Sequence, residues 1–102
     1  RDFAKEIFSF IEGGKDMKGV TSQKLAYFNM WLNDDSFSDS QVDANLFFEG
    51  CKFPTTSLEI NYEEYVFGLS KIANDHGISK IDEYFSLYKH ILATGKKMNS
   101  EF

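Results

Sequence analysis

The residues that could take part in chemistry are few, and their spacing fits no common catalytic or zinc-binding pattern. Cys51 is the single cysteine among 102 residues, and His76 and His90 are the two histidines. Zinc sites take cysteine and histidine ligands at short spacings, which these three residues do not provide. A lone thiol without a neighbouring histidine or second cysteine is more typical of a small core residue than of a reactive nucleophile.

Phosphate-binding and acid–base patterns are also incomplete. The segment from Glu12 to Lys15 has two glycines before its lysine, but no clear strand precedes it and no serine or threonine follows the lysine, as a phosphate-binding loop requires. Adjacent acids such as Asp34 and Asp35 are typical of a polar surface. We therefore predict that the protein is not an enzyme and has no catalytic residue, metal site or cofactor.

The composition indicates one acidic, aromatic-rich domain. Aromatic residues make up 17% of the chain, and the net charge is −5 at pH 7. The aromatic content is far above that of a disordered segment, and the acidity argues against a nucleic-acid partner, because binding to phosphates needs a basic face. No apolar run approaches the roughly 18 residues of a membrane span, so we expect no membrane partner. The single cysteine favours a reducing compartment, such as the cytoplasm.

Helical periodicity organises the apolar residues into five segments. Their apolar positions are Phe3, Ile7, Phe10 and Ile11; Leu25, Phe28, Met30, Trp31 and Leu32; Val42, Leu46 and Phe47; Tyr62, Tyr65, Val66, Leu69, Ile72 and Ala73; and Ile81, Tyr84, Phe85, Tyr88, Ile91 and Leu92. Residues 1–95 are predicted to form the domain, and residues 96–102, which lack a pattern, a flexible tail.

Polar residues mark the predicted starts of the later helices. Thr21 offers a hydroxyl cap for the second helix. The next three starts have the spacing of a capping box, in which a polar residue precedes an acid or amide by three positions. The residue pairs are Ser38 with Gln41, Asn61 with Glu64, and Ser79 with Asp82.

A weak repeat relates the two halves of the chain. In each half a helix is followed by a loop with a lone β-forming residue, Val20 or Ile60, and then directly by a capping residue and another helix. This order is typical of paired EF-hands, whose two loops meet through a very short antiparallel bridge. We therefore predict an all-α fold with an EF-hand-like pair of helix-loop-helix units, a minimal two-stranded bridge and an additional C-terminal helix.

The loops themselves lack the ligands of a calcium site. A binding loop supplies oxygen ligands from six of its twelve positions and has glycine at the sixth. With Val20 at the eighth position, two lysines and a methionine fall at ligand positions. With Ile60 there, Glu64 is the one carboxylate, and its alternative role is that of a helix cap. The residues at positions one, three, five, nine and twelve are Gly13, Lys15, Met17, Thr21 and Lys24 in the first loop, and Phe53, Thr55, Ser57, Asn61 and Glu64 in the second. Both loops are predicted not to bind calcium.

From Phe3 to Gly95 the chain resembles the tubulin polymerization-promoting protein family, most closely in an ungapped stretch from Met17 to Asp43. Matching residues in that stretch are Met17, Gly19, Lys24, Leu25, Val42 and Asp43, with Gln41 in place of the first aspartate of an Asp-Val-Asp segment. The later family signature is met by Ile60, Tyr62, Tyr65, Leu69 and Ala73.

The resemblance implies a non-catalytic protein that binds tubulin and promotes the polymerisation, bundling or stabilisation of microtubules. It places the protein in the cytoplasm and cytoskeleton, including that of a cilium or flagellum. Ala26 and Asn29 stand where the family has cysteines linked to zinc, so no zinc site is carried over. Tubulin is acidic, and the expected contacts are therefore the clustered lysines Lys15, Lys18 and Lys24. The alternative is that these lysines belong to an ordinary surface of mixed charge.

A second hypothesis is a calcium-independent adaptor, or light chain, that holds an amphipathic helix of a partner in a groove. The side chains that could line such a groove are Phe28, Met30, Trp31, Phe47, Phe48 and Phe67, and the alternative for most of them is the core. This hypothesis requires that the aromatic residues of the fifth helix leave the groove open and that an apolar patch of more than roughly a few hundred Å² is exposed there.

Overall fold

The predicted all-α fold with a minimal bridge is confirmed. The computed structural model describes residues 3–13, 19–51 and 59–98, and these form five helices and two short strands. The elements in chain order are α1 (Phe3–Glu12), β1 (Val20–Thr21), α2 (Ser22–Asn33), α3 (Phe37–Cys51), β2 (Glu59–Ile60), α4 (Tyr62–His76) and α5 (Ile78–Ala93). No helix in these three ranges is long and apolar enough to cross a membrane.

The two helix-loop-helix units meet through the pair of β-forming residues that the sequence repeat singles out. β1 and β2 are antiparallel, with Val20 opposite Ile60 and Thr21 opposite Glu59. The side chains of Val20 and Ile60 are fully buried. The bridge therefore joins the two units at the centre of the apolar core.

An aromatic cluster joins α1, α2 and α5. The ring of Phe10 lies 5.0 Å from that of Trp31 and 5.5 Å from that of Tyr88, and Phe28 lies 6.3 Å from Tyr88. Tilted and edge-on ring pairs at these distances are favourable beyond their burial of apolar area. Through Tyr88, α5 is anchored to α1 and α2.

A glycine allows α3 and α4 to approach closely. Gly68 lies in the middle of α4, where an added Cβ would overlap Sγ of Cys51 and come within 2.7 Å of Cζ of Phe47. Cys51 is fully buried at the end of α3. Only a residue without a side chain fits at this crossing, so Gly68 determines the spacing of the two helices.

The predicted start of α3 at Ser38 is wrong. The helix begins at Phe37, and the Oγ atom of Ser36 accepts a hydrogen bond from the backbone N–H of Asp39 at 3.2 Å. Asp34 ends α2 in the left-handed conformation with φ of 58°. Because the chain reverses there at once, Ser36 is already in place to cap the next helix, ahead of Ser38.

The predicted cap of α5 at Ser79 is also wrong. α5 begins at Ile78 without a side-chain cap, and Gly77 serves as the end of α4 and the start of α5. Gly77 has φ of 93°, a conformation that glycine adopts without steric cost. A single residue therefore makes the sharp turn between the two helices.

The segment after α5 begins with contacts to α2. Nε1 of Trp31 donates a hydrogen bond to the carbonyl oxygen of Lys96 at 3.1 Å, and Nζ of Lys96 donates one to the carbonyl oxygen of Trp31 at 2.9 Å. Met98 packs against the core. The prediction of a flexible tail covers residues 96–102, of which 99–102 lie outside the described residues.

Candidate functional site

Three residues at the calcium-ligand positions of the two loops, Thr21, Asn61 and Glu64, cap helices instead. Oγ1 of Thr21 accepts from the backbone N–H of Lys24 at 3.2 Å, at the start of α2. At α4, Oδ1 of Asn61 accepts from the N–H of Glu64 at 2.8 Å, and Oε1 of Glu64 accepts from the N–H of Asn61 at 2.9 Å. The predicted capping box is confirmed, and the one carboxylate at a ligand position of the second loop is engaged in it.

Of the three lysines expected to contact tubulin, Lys24 is described, and Lys15 and Lys18 lie outside the described residues. Nζ of Lys24 donates to the carbonyl oxygen of Glu12 at 3.3 Å, where α1 ends. A cation at the C-terminal end of a helix is stabilised by the helix dipole. The Lys24 side chain is half-buried, and its hydrogen bond to Glu12 helps to hold the end of α1 against α2.

An open cavity of about 850 Å³ lies between α2, α3, α4 and α5, and we call it the interhelical groove. Its floor consists of buried apolar or aromatic side chains, and its rim consists of exposed, mainly charged ones. The floor includes Leu25, Leu32, Tyr65, Leu69 and Ile81, and the rim includes Asp43, Leu46, Asp75, His76, Lys80 and Glu83. A concave apolar surface with a few polar groups is the usual form of a binding site.

The fifth helix leaves this groove open because its aromatic residues point in different directions. Tyr88 packs into the cluster with Phe10 and Trp31, and Phe85 lies 5.5 Å from Phe3, centroid to centroid. Of the α5 aromatics, Tyr84 lines the groove, together with the aliphatic Ile81 and Leu87. The aromatic side chains of α5 therefore do not fill the groove, which meets the first condition of the adaptor hypothesis. The second condition is not met within the groove itself, because its exposed apolar surface is smaller than a few hundred Å².

Most of the residues predicted to line a partner-binding groove lie outside the interhelical groove. Phe28, Trp31 and Phe48 are buried in the core. Met30 is half-buried and Phe67 is 41% exposed, and neither lines the groove. Phe47 is the one of the six that does. The aliphatic part of the lining comes mainly from positions that the sequence marks simply as core-facing, so no signal in the sequence distinguishes groove-lining residues from core residues.

On α3 the exposed and buried faces differ from the prediction. The apolar residues expected to face the core, Val42 and Leu46, are 57% and 63% exposed. The buried face is instead a row of mostly small residues, consisting of Ser40, Ala44, Phe48 and Cys51. Small side chains allow α3 to pack closely on its neighbours, which leaves the larger Leu46 at the rim of the groove.

Two tyrosine hydroxyls form a polar point in the groove lining. The Oη atoms of Tyr65 and Tyr84 lie 3.1 Å apart, within hydrogen-bond distance. Burial raises the pKa of both phenols well above the ordinary value. Both are therefore neutral at physiological pH, and one of them donates to the other.

Cys51 has the properties of a core residue and not of a nucleophile. Burial, followed by the nearby Glu64 carboxylate, raises its pKa to about 12. The thiolate is the reactive form, so a thiol of this pKa stays protonated and inert at neutral pH.

The histidines take no part in a metal centre built from described residues. His76 lies at the end of α4 and on the groove rim, and His90 lies on α5 near Phe3. No group of three or more histidine, cysteine, aspartate or glutamate residues in the described ranges is placed to hold a metal ion.

Comparison of the chain with models of protein families, with curated proteins and with solved structures found no match.

Proposed function

We propose that this domain is a non-catalytic, tubulin-binding protein that promotes the polymerisation, bundling or stabilisation of microtubules in the cytoplasm or in a cilium or flagellum. The resemblance of residues 3–95 to the tubulin polymerization-promoting family suggests the partner. The observation that supports it best is the pair of helix-loop-helix units joined at Val20 and Ile60, with Thr21, Asn61 and Glu64 used as caps. Such a fold offers a rigid surface and needs no calcium to form it.

The proposed contacts are Lys15 and Lys18, which lie between α1 and β1 in the sequence and outside the described residues, together with Lys24 of α2. Three cations close in sequence produce a local positive field on an acidic chain, and a local field steers an acidic partner more strongly than the net charge does. Lys24 is held at the end of α1 by its bond to the carbonyl oxygen of Glu12. Its ammonium therefore has a defined position there.

The test is co-sedimentation with microtubules over a range of salt concentrations. The variant Lys15→Glu with Lys18→Glu leaves the Lys24 contact intact, and we expect it to weaken binding about tenfold at low salt. The control, Lys71→Glu with Lys97→Glu, has the same net charge but alters exposed lysines elsewhere. If both variants lose microtubule binding equally, Lys15 and Lys18 are not the contact residues. If the parent protein does not pellet with microtubules at low salt, tubulin is not the partner.

The interhelical groove favours a second candidate function, a calcium-independent adaptor that holds an amphipathic helix of a partner. We expect an 18-residue amphipathic peptide to bind the protein, as followed by fluorescence anisotropy of a labelled peptide. Leu46→Arg at the rim should abolish binding, whereas Leu92→Arg, an exposed apolar residue of α5 that does not line the groove, should not. Equal effects of the two substitutions would exclude the groove as the binding site.

A further inference from the structure

We propose that the interhelical groove selects basic amphipathic helices, so that its partner is a protein segment with a helical apolar face flanked by lysine or arginine. The proposal rests on the second candidate function and goes beyond it by specifying the charge of the partner.

The rim of the groove is acidic on three sides. Asp43 comes from α3, Asp75 from α4 and Glu83 from α5, and all three are exposed. One lysine, Lys80, opposes them on the rim, and His76 is the remaining titratable rim residue. Three carboxylates against one ammonium give the mouth of the groove a negative potential, which attracts cationic side chains and disfavours anionic ones.

These rim charges are available to a partner. The ion pairs between described residues join Lys89 to Glu6 and Lys96 to Asp34, and they involve none of the rim carboxylates. A lysine or arginine on a bound helix would therefore form new ion pairs with the rim and would not have to replace existing ones.

The shape of the groove suits one face of a helix. An α-helix is about 10–12 Å wide and rises about 5.4 Å per turn, so a volume of about 850 Å³ corresponds to about three to four turns inserted to half their depth. Val42 and Leu46 lie one helical turn apart on α3 and are both more than half exposed, which extends the apolar surface outward from the rim at Leu46.

The tyrosine pair adds a fixed polar point to the apolar lining. Because one hydroxyl of Tyr65 and Tyr84 donates to the other, the second hydroxyl proton remains for another acceptor. The charge selection itself rests on the carboxylates, since both phenols are neutral.

The experiment compares three 18-residue helical peptides with the same apolar face and with lysine, glutamine or glutamate on the flanks. Anisotropy titrations of the full chain at low salt should give the tightest binding for the lysine peptide, about tenfold tighter than the glutamine peptide, and the weakest for the glutamate peptide. The lysine peptide should lose most of this advantage as the salt concentration rises.

Two charge-matched variants locate the selecting residues. Asp43→Asn, Asp75→Asn and Glu83→Gln together should remove the preference for the lysine peptide. The control variant changes one exposed acid on each of the same three helices outside the groove, namely Glu49→Gln, Glu63→Gln and Asp82→Asn, and should keep it.

The outcomes separate this inference from the function on which it rests. Equal binding of all three peptides, or equal loss in both triple variants, overturns the charge selection and leaves the adaptor function standing. Failure of all three peptides to bind overturns both. A concentration-dependent dimer in sedimentation that Leu46→Arg abolishes would identify a second copy of the chain as the occupant and would also overturn the proposal.

Discussion

Replacing Gly68 by alanine tests the close crossing of α3 and α4. The substitution has two opposing effects. Alanine is favoured over glycine inside a helix by roughly 0.5–1 kcal/mol, so on propensity alone Gly68→Ala would stabilise the protein. The added Cβ, however, would overlap Sγ of Cys51 and lie 2.7 Å from Cζ of Phe47.

The steric effect is expected to dominate. Overfilling a packed interior costs typically about 1–3 kcal/mol, and Cys51 is fully buried, so its side chain has little room to move aside. Taking the upper half of that range and subtracting the gain in propensity, we expect Gly68→Ala to lower the free energy of unfolding by about 1–2 kcal/mol. For a domain of this size that lowers Tm by about 5–15 °C.

Urea unfolding followed by the fluorescence of Trp31, the single tryptophan and 4% exposed, measures the change. Gly50→Ala is the matched control, because Gly50 also lies in a helix but an added Cβ there meets nothing nearer than Nζ of Lys71 at 3.9 Å. It should stabilise the protein by up to about 1 kcal/mol. Combining Gly68→Ala with Cys51→Ala should recover about 1–2 kcal/mol relative to the sum of the single changes. A stabilising Gly68→Ala would refute the close contact.

Two further predictions concern the cap of α4 and the buried thiol. Asn61→Ala removes the acceptor for the N–H of Glu64 and should destabilise the protein by about 1 kcal/mol in urea unfolding, whereas Asn61→Asp, which keeps an acceptor, should not. Cys51 should resist alkylation by iodoacetamide at pH 8 in the folded protein and react rapidly in guanidinium, as followed by mass spectrometry. Rapid alkylation of the folded protein would contradict the burial of this thiol. Folding raises the pKa of the Cys51 thiol from 9.0 to about 12, so the stability gained by burying the neutral thiol is complete below pH 9 and is lost as the pH rises towards 12.

The features predictable from the sequence are those determined by local chemistry or indicated by the repeat that relates the two halves. Val20 and Ile60 are isolated β-forming residues immediately before capping residues, and the structure pairs them directly. Asn61 and Glu64 form the expected capping box, since both partners lie within one turn of helix. The same spacing at Ser38 and at Ser79 does not mark a cap, because the chain turns at Asp34 and at Gly77 place other residues at those helix starts.

The orientation of α3 could not be predicted because it depends on contacts between helices. Periodicity assigns Val42 and Leu46 to the core, yet a row with Ser40 and Ala44 is buried instead. Close packing of α3 against α2 and α4 favours small side chains on its buried face, and a pattern of hydrophobicity alone does not reveal this preference. The groove depends on the same effect, because Leu46 reaches its rim when the smaller residues turn inward.

The two proposed binding surfaces have opposite charge, and this makes them separable in one protein. Reversal of Lys15 and Lys18 should weaken pelleting with acidic microtubules and leave the affinity for a basic peptide unchanged or slightly higher. Neutralising Asp43, Asp75 and Glu83 should weaken binding of the basic peptide and leave pelleting unchanged. If the groove were the microtubule contact, rim neutralisation would strengthen pelleting by reducing repulsion, and Leu46→Arg would change pelleting and peptide binding together. Independent responses of the two assays would mean that one small domain carries two surfaces, and could link a microtubule to a second protein through its basic helix.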